Sequence, residues 1–191
     1  MSILFNVWML PILFILHDFE EMIVMPLWKI RHHQKLATLK KPYFGSVTQG
    51  SAFAVGVLEE FIILNLGHLF DYHKFLFGNE FIILLFISGF CQITHNNLLY
   101  LSFVIAYTSH FIIHYIMCLL FRGYVPGVVT VTLELPIVLL IIFHYWPSDS
   151  SLLSAISYIL VAISIAYINL FIMHLIMPKI QTHLEKYAKQ I

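Results

Sequence analysis

The chain has 191 residues, 60% of them hydrophobic and only 10% charged, with ten acidic and ten basic side chains and a mean hydropathy of +0.88. Soluble domains carry about 25% charge, so the composition excludes a water-soluble globular protein, and there is no basic stripe for nucleic acid. The P-loop, G-x-G-x-x-G and G-x-S-x-G patterns are absent, which leaves nucleotide, Rossmann and serine-hydrolase chemistry without support. The reading is an all-α, polytopic transmembrane helical bundle of about six spans of roughly 20 residues each. It occupies residues 1–178, with an amphipathic tail over 179–191.

The first predicted span runs from Ile3 to Trp28 and carries HDFEE, His17 to Glu21, in its second half. No basic segment precedes it and no small-residue cleavage site follows, so a retained helix is expected rather than a signal peptide. A basic connection with Arg31, Lys35, Lys40 and Lys41 leads to a second span, Val47 to Phe70, with Glu59 and Glu60 near its centre. The third span runs from Glu80 to His95 and the fourth from Leu98 to Phe121, divided only by THNN, Thr94 to Asn97. Arg122 and Gly123 mark a turn, and YVPG opens a fifth span that reaches Trp146 and holds Glu134 and Pro136. The sixth covers Leu152 to Met177, with Pro178 expected to end it. Cys91 and Cys118 fall inside apolar runs, so no disulfide framework is expected.

The positive-inside rule places the first connection in the cytoplasm and the N-terminus outside. Six spans would leave the lysine-bearing tail outside as well, which the same rule disfavours. No internal repeat is evident, which weakens an inverted-repeat transporter.

The two signs of charge are segregated. Asp18, Glu20, Glu21, Glu59, Glu60 and Glu134 lie in apolar stretches, whereas nine of the ten Lys and Arg lie in connections or the tail. An ionised group at mid-bilayer costs about 2.5–3.5 kcal/mol even on the lenient insertion scale. Six acids therefore require protonation, a wet cavity or a bound cation. His17, His110 and His114 share these stretches, and imidazole with carboxylate is the ligand stock of zinc, iron and manganese.

On a helix, His17, Glu20 and Glu21 stand at i, i+3 and i+4 and share a face. The alternative is a helix end whose acids reach interfacial water. His110 and His114 have the i, i+4 spacing of the two histidines in H-E-x-x-H, but Phe111 stands where the glutamate would be. Their alternative is a hydrogen-bonded pair joining helices. Glu59 and Glu60 point about 100° apart, so one is expected to face the site. Glu134 is a further ligand, an outer partner of a ligand histidine, or a neutral acid. Arg122 at the interface suits a phosphate or carboxylate, or it snorkels. The Pro126–Gly127 pair reads as ordinary helix-entry punctuation. The remaining histidines are expected to be structural.

On HDFEE, on His110-x-x-x-His114 and on RGYVPGVVT from Arg122 to Thr130, the chain resembles the HXXEE family of small bacterial membrane proteins. The resemblance covers the first to the fifth span. It implies a place in the bacterial cytoplasmic membrane and groups His17, Glu20, Glu21, His110 and His114 as one functional set. It supplies no reaction.

The expected function is an intramembrane metal-dependent enzyme, most simply a hydrolase, working on a lipidic or membrane-embedded substrate among membrane lipid. His17, Glu21, His110 and His114 would be ligands to one divalent metal, with zinc preferred and iron or manganese as alternatives. Glu59, Glu60 and Glu134 would add or orient ligands. Glu20 would take a proton from metal-bound water, and Arg122 would hold the substrate's polar head. A two-metal variant would be a di-iron-type oxidoreductase acting on a lipid chain. A different class is a proton- or cation-coupled transporter or binding protein without chemistry, for which a homodimer would supply the missing size.

Overall fold

A computed structural model describes residues 3–38, 54, 80–147 and 152–189. The second predicted span, with Glu59 and Glu60, and the Lys40–Lys41 and His68–Lys74 stretches lie outside the described residues. Every described element is a helix. A 3-10 turn, Ile3–Phe5, precedes α1 (Met9–Arg31), and the short α2 (His33–Ala37) follows it. Then come α3 (Glu80–Thr94), α4 (Asn97–Phe121), α5 (Val128–Tyr145) and α6 (Leu152–Ala188).

The weakly marked THNN break is a true helix boundary. His95 takes a left-handed backbone (φ 54°), and the Asn96 side chain then accepts the Leu99 N–H at 3.0 Å as the N-cap of α4. At the other end of α4, Arg122 is left-handed too (φ 52°), and Gly123 donates back to the Cys118 carbonyl at 3.1 Å.

Pro178 does not end the last helix, contrary to the sequence expectation. α6 passes through it to Ala188. Proline removes one backbone donor, and the turns beyond it carry side-chain bonds of their own: Thr182 Oγ1 donates to the Pro178 carbonyl at 2.9 Å, and Gln181 Nε2 donates to Glu185 Oε1 at 2.9 Å. The segment read as a separate tail is continuous with the last span as far as Ala188.

Three helices, α4, α5 and α6, are long and apolar enough to cross a membrane, and the protein is a membrane protein. α1, about 35 Å long at 1.5 Å per residue, has the pattern of a helix turned inside out. Its exposed side is Ile12, Leu16, Phe19, Ile23, Leu27 and Ile30, recurring every three or four residues, while His17, Asp18, Glu21 and Lys29 are buried. Lys29 therefore breaks the segregation of charge expected from the sequence, because it lies inside the bundle where Glu21 attracts it.

α4 is the central element and packs against α5 and α6, with α3 beside it, and α1 leans on α3 and α5. The apolar interior is in two layers. The larger one includes Leu10, Leu13, Leu101, Val104, Phe111 and Val138. The smaller one gathers Met25, Trp28, Met117, Phe121 and Val125. Along α1, α4 and the start of α5, the polar residues fall between these layers. The smaller layer is tied by Trp28 Nε1, which donates to the Tyr124 carbonyl at 2.8 Å. Lys35 adds to it by donating to the Leu120 carbonyl at 2.6 Å with its ammonium 4.5 Å from the centre of the Phe121 ring.

Candidate metal centre

Between the two layers, His17 and Glu21 of α1 meet His110 and His114 of α4. One donor atom from each lies within 4.8 Å of the other three. His17, Glu21 and His114 are buried and His110 is partly so. The imidazoles meet edge to face, with centroids 4.8 Å apart for His17 and His114 and 4.7 Å for His110 and His114. Glu21 Oε1 is 3.6 Å from His114 Nε2. Each pair shares a face of its helix because it is spaced by four residues.

The second atom of each ring decides what the first can do. His114 Nδ1 lies 2.9 Å from the Pro126 carbonyl, which only accepts, so Nδ1 carries the proton and Nε2 presents a lone pair. His17 Nδ1 is 3.0 Å from Thr130 Oγ1, which donates to Glu20 Oε2 at 2.7 Å. Thr130 therefore accepts from His17, and the His17 Nε2 lone pair faces inward, buried and without a hydrogen-bond partner. His110 Nε2 is 2.9 Å from His114 Nε2, within hydrogen-bond distance, so a proton on His110 Nε2 would point at the His114 lone pair. An outer acceptor on the non-ligating nitrogen is the usual arrangement at histidine-bound metals. The orphaned Nε2 of His17, the carboxylate of Glu21 and the two facing Nε2 atoms form a donor set that a divalent transition metal fits.

Glu20 turns away from this cluster. It receives the Thr130 N–H at 2.7 Å, the Val129 N–H at 3.3 Å, the Thr130 hydroxyl at 2.7 Å and the Tyr124 hydroxyl, which donates to Oε1 at 2.7 Å. The Val129 and Thr130 amides are free donors of the first turn of α5, so the carboxylate of α1 caps α5 and meets the positive end of its dipole. Tyr124 lies in the connection, and burial together with its bond to Glu20 pushes its phenol above the ordinary tyrosine range.

Gly127 explains why that connection sits so close. It is left-handed (φ 87°), and a Cβ there would meet His114 Cε1 at 2.5 Å and His17 Cε1 at 2.7 Å. Only glycine lets the backbone lie against both imidazoles. The Pro-Gly pair thus does more than open a helix: Pro126 supplies the acceptor for His114 and Gly127 the space. Glycine beside proline is a legible signal of tight backbone, but nothing in the sequence says which side chains press against it. The role of Thr130 was equally hidden, since its bond to His17 crosses 113 positions.

Glu134 is buried near the cluster and not among its four donors. Its Oε2 accepts the Tyr107 hydroxyl at 2.6 Å, and its Oε1 has no hydrogen-bond partner. Tyr107 stands edge-on to His17, with centroids 6.2 Å apart. Arg122 is exposed at the C-terminal end of α4, away from the cluster. Of the other histidines, His144 stacks on Phe5 at 4.1 Å and His32 lies on Trp28 at 4.6 Å.

No curated protein and no solved structure matches the chain. Residues 8–142 match the family described as "Protein of unknown function with HXXEE motif", in which His17, Glu20 and Glu21 are the motif's histidine and its two glutamates. That match covers more than half of the sequence, and the chain belongs to the HXXEE family.

Proposed function

We propose that the protein is an intramembrane metal-dependent enzyme, in its simplest form a hydrolase of a lipidic or membrane-embedded substrate. The observation that carries this reading is the convergence of His17, Glu21, His110 and His114 within 4.8 Å, with partners that leave the His17 and His114 lone pairs facing inward. A structural role for such a cluster is costly, because polar groups in a membrane interior are expensive unless paired. A zinc ion there would polarise a bound substrate and supply a nucleophilic water near neutral pH.

The three imidazoles are the ligands, and Glu21 is either the fourth or the proton acceptor beside them. Glu20 is a positioning residue in this reading, because its oxygens are engaged by α5 and it reaches the cluster only through Thr130 and His17. Glu134, with one free oxygen, is the candidate extra carboxylate if two metals bind, and an oxidation of a lipid chain would then replace hydrolysis. Arg122 and the bilayer around it suit an anionic headgroup.

Elemental analysis by plasma mass spectrometry, on protein purified in mild detergent without chelator or nickel resin, tests the centre. The expectation is one equivalent of zinc, and close to two of iron or manganese for the oxidative form. His17→Ala, Glu21→Ala, His110→Ala and His114→Ala should each remove the metal from protein that remains extractable. Equal metal in all four sinks the site. Failure to bind any metal on reconstitution transfers the reading to a proton-relay transporter or ligand-binding protein. For the reaction itself, metal-loaded protein in phospholipid vesicles should release a cleaved lipid product, and Glu21→Gln should not.

A further inference from the structure

A trough runs along the contact of α4 with α6 and ends beside the metal cluster. Its outer part, about 270 Å³, is bordered by Leu99, Tyr158, Val161 and Ala162. Its inner part, about 30 Å³, is bordered by Phe14, Ala106, Ala166, Tyr107 and Asn169. Phe103 and Ile165 line both parts, so the two adjoin. Alanines at 106, 162 and 166 keep the helices from filling it. Together the two parts approach the low end of small-ligand pockets.

The lining is mostly apolar, with Ser157 and Tyr158 in the outer part and Tyr107 and Asn169 at the inner end. Tyr107 is the last side chain before the site. Its ring lies against His17 at 6.2 Å, it precedes His110 by one helical turn, and its hydroxyl is held by Glu134 at 2.6 Å. Both bordering helices are long enough to cross the membrane, and the outer rim is open, with Val161 59% exposed. The mouth therefore faces hydrocarbon, and the narrow end stops one ring from the donors.

The geometry points to a hydrocarbon chain of a membrane lipid as the occupant of this trough, held so that the chain's polar end or reacting position reaches the His17–His110–His114 cluster past Tyr107. This names the substrate class of the centre described above and rests on that reading. A peptide segment fits less well, because the trough offers no row of donors and acceptors for a backbone, and unpaired amides in such a place are costly.

The test uses doxyl-labelled stearic acid as probe and the full chain in detergent, with Phe103→Trp as reporter and the parent protein's fluorescence subtracted. Saturable quenching at low probe-to-micelle ratio is expected. Ala162→Phe, which fills the trough, should weaken it roughly ten-fold or more, about 1.4 kcal/mol. Val161→Phe at the exposed rim gives the same readout in a variant whose folding is not at risk. Metal content is measured alongside and should be unchanged in both. Quenching that rises linearly without saturation, or that is identical in the parent and both filled variants, overturns the trough. Saturable, variant-sensitive binding by protein that takes up no metal upholds the lipid trough and removes the catalytic reading alone.

Discussion

Two faces of α4 are built on opposite principles. Toward α1 and the start of α5, His110 and His114 meet polar partners, and the contact is specified by individual atoms: the Pro126 carbonyl, the Thr130 hydroxyl and the first-turn amides that Glu20 caps. Toward α6 the contact is mostly alkyl and aromatic surface with alanine notches, joined by one long hydrogen bond from Ser109 Oγ to the Tyr167 hydroxyl at 3.4 Å, and α6 turns most of its remaining surface outward. In a membrane, apolar burial gives little discrimination between helix and lipid, so packing and hydrogen bonds carry specificity. The first face holds one geometry, and the second tolerates a guest. That difference is why chemistry is assigned to one and a hydrocarbon chain to the other.

The comparison breaks most visibly at Gly127. Gly127→Ala puts a methyl group against both imidazoles at 2.5 and 2.7 Å in a left-handed backbone. The backbone strain alone costs about 1–3 kcal/mol, and the rings must move as well. Metal should be lost and the thermal unfolding temperature in detergent should drop. Normal metal content and stability would show that the connection does not press on the site. Glu20→Ala comes next, because it strips the cap from α5 and leaves Tyr124, Val129 and Thr130 donors without their acceptor. A loss of about 1–2 kcal/mol is expected from the cap, read by thermal unfolding, with part of the metal retained. Complete loss of metal with unchanged stability would instead make Glu20 a ligand.

Thr130→Val sharpens the contrast further, since it keeps the shape and deletes the hydroxyl that links His17 to Glu20 and also reaches the Gly127 carbonyl at 3.0 Å. Removal of an outer partner lowers metal affinity about 10–100-fold, so a competition titration with a chelator should show that loss while stability changes little. On the other face, Leu153→Ala in α6, at a position 77% exposed, should stay within about 0.5 kcal/mol and leave metal binding untouched. A large effect there would mean that α6 packs against something more specific than lipid.

Much of the candidate site was legible because helical spacing is local. His17 with Glu21, and His110 with His114, are one turn apart in sequence and necessarily share a face, and four apolar-stretch residues of ligand type stood out against 10% charge. The two glutamates of HDFEE show the limit. Glu20 and Glu21 are adjacent, and spacing puts both near His17, but nothing local says which turns to the histidines and which to the next helix. Lys29 shows the same limit, since its sequence neighbours suggested an interfacial cation and the fold buries it near Glu21.

Composition and periodicity, then, were enough to determine a helical membrane bundle, the positions of its described breaks to within a few residues, and the two histidine-bearing faces. They misjudged Pro178, because a proline's missing donor is a single local loss that a helix can absorb without ending. The tertiary structure alone decided that α1 carries its polar stripe inward, that α5 begins against the imidazoles at Gly127, and that Glu20 caps α5 while Glu21 joins the donors. Those outcomes depend on partners about a hundred positions away in the chain, and hydrogen-bond geometry between distant segments leaves no periodic trace in the sequence of either one.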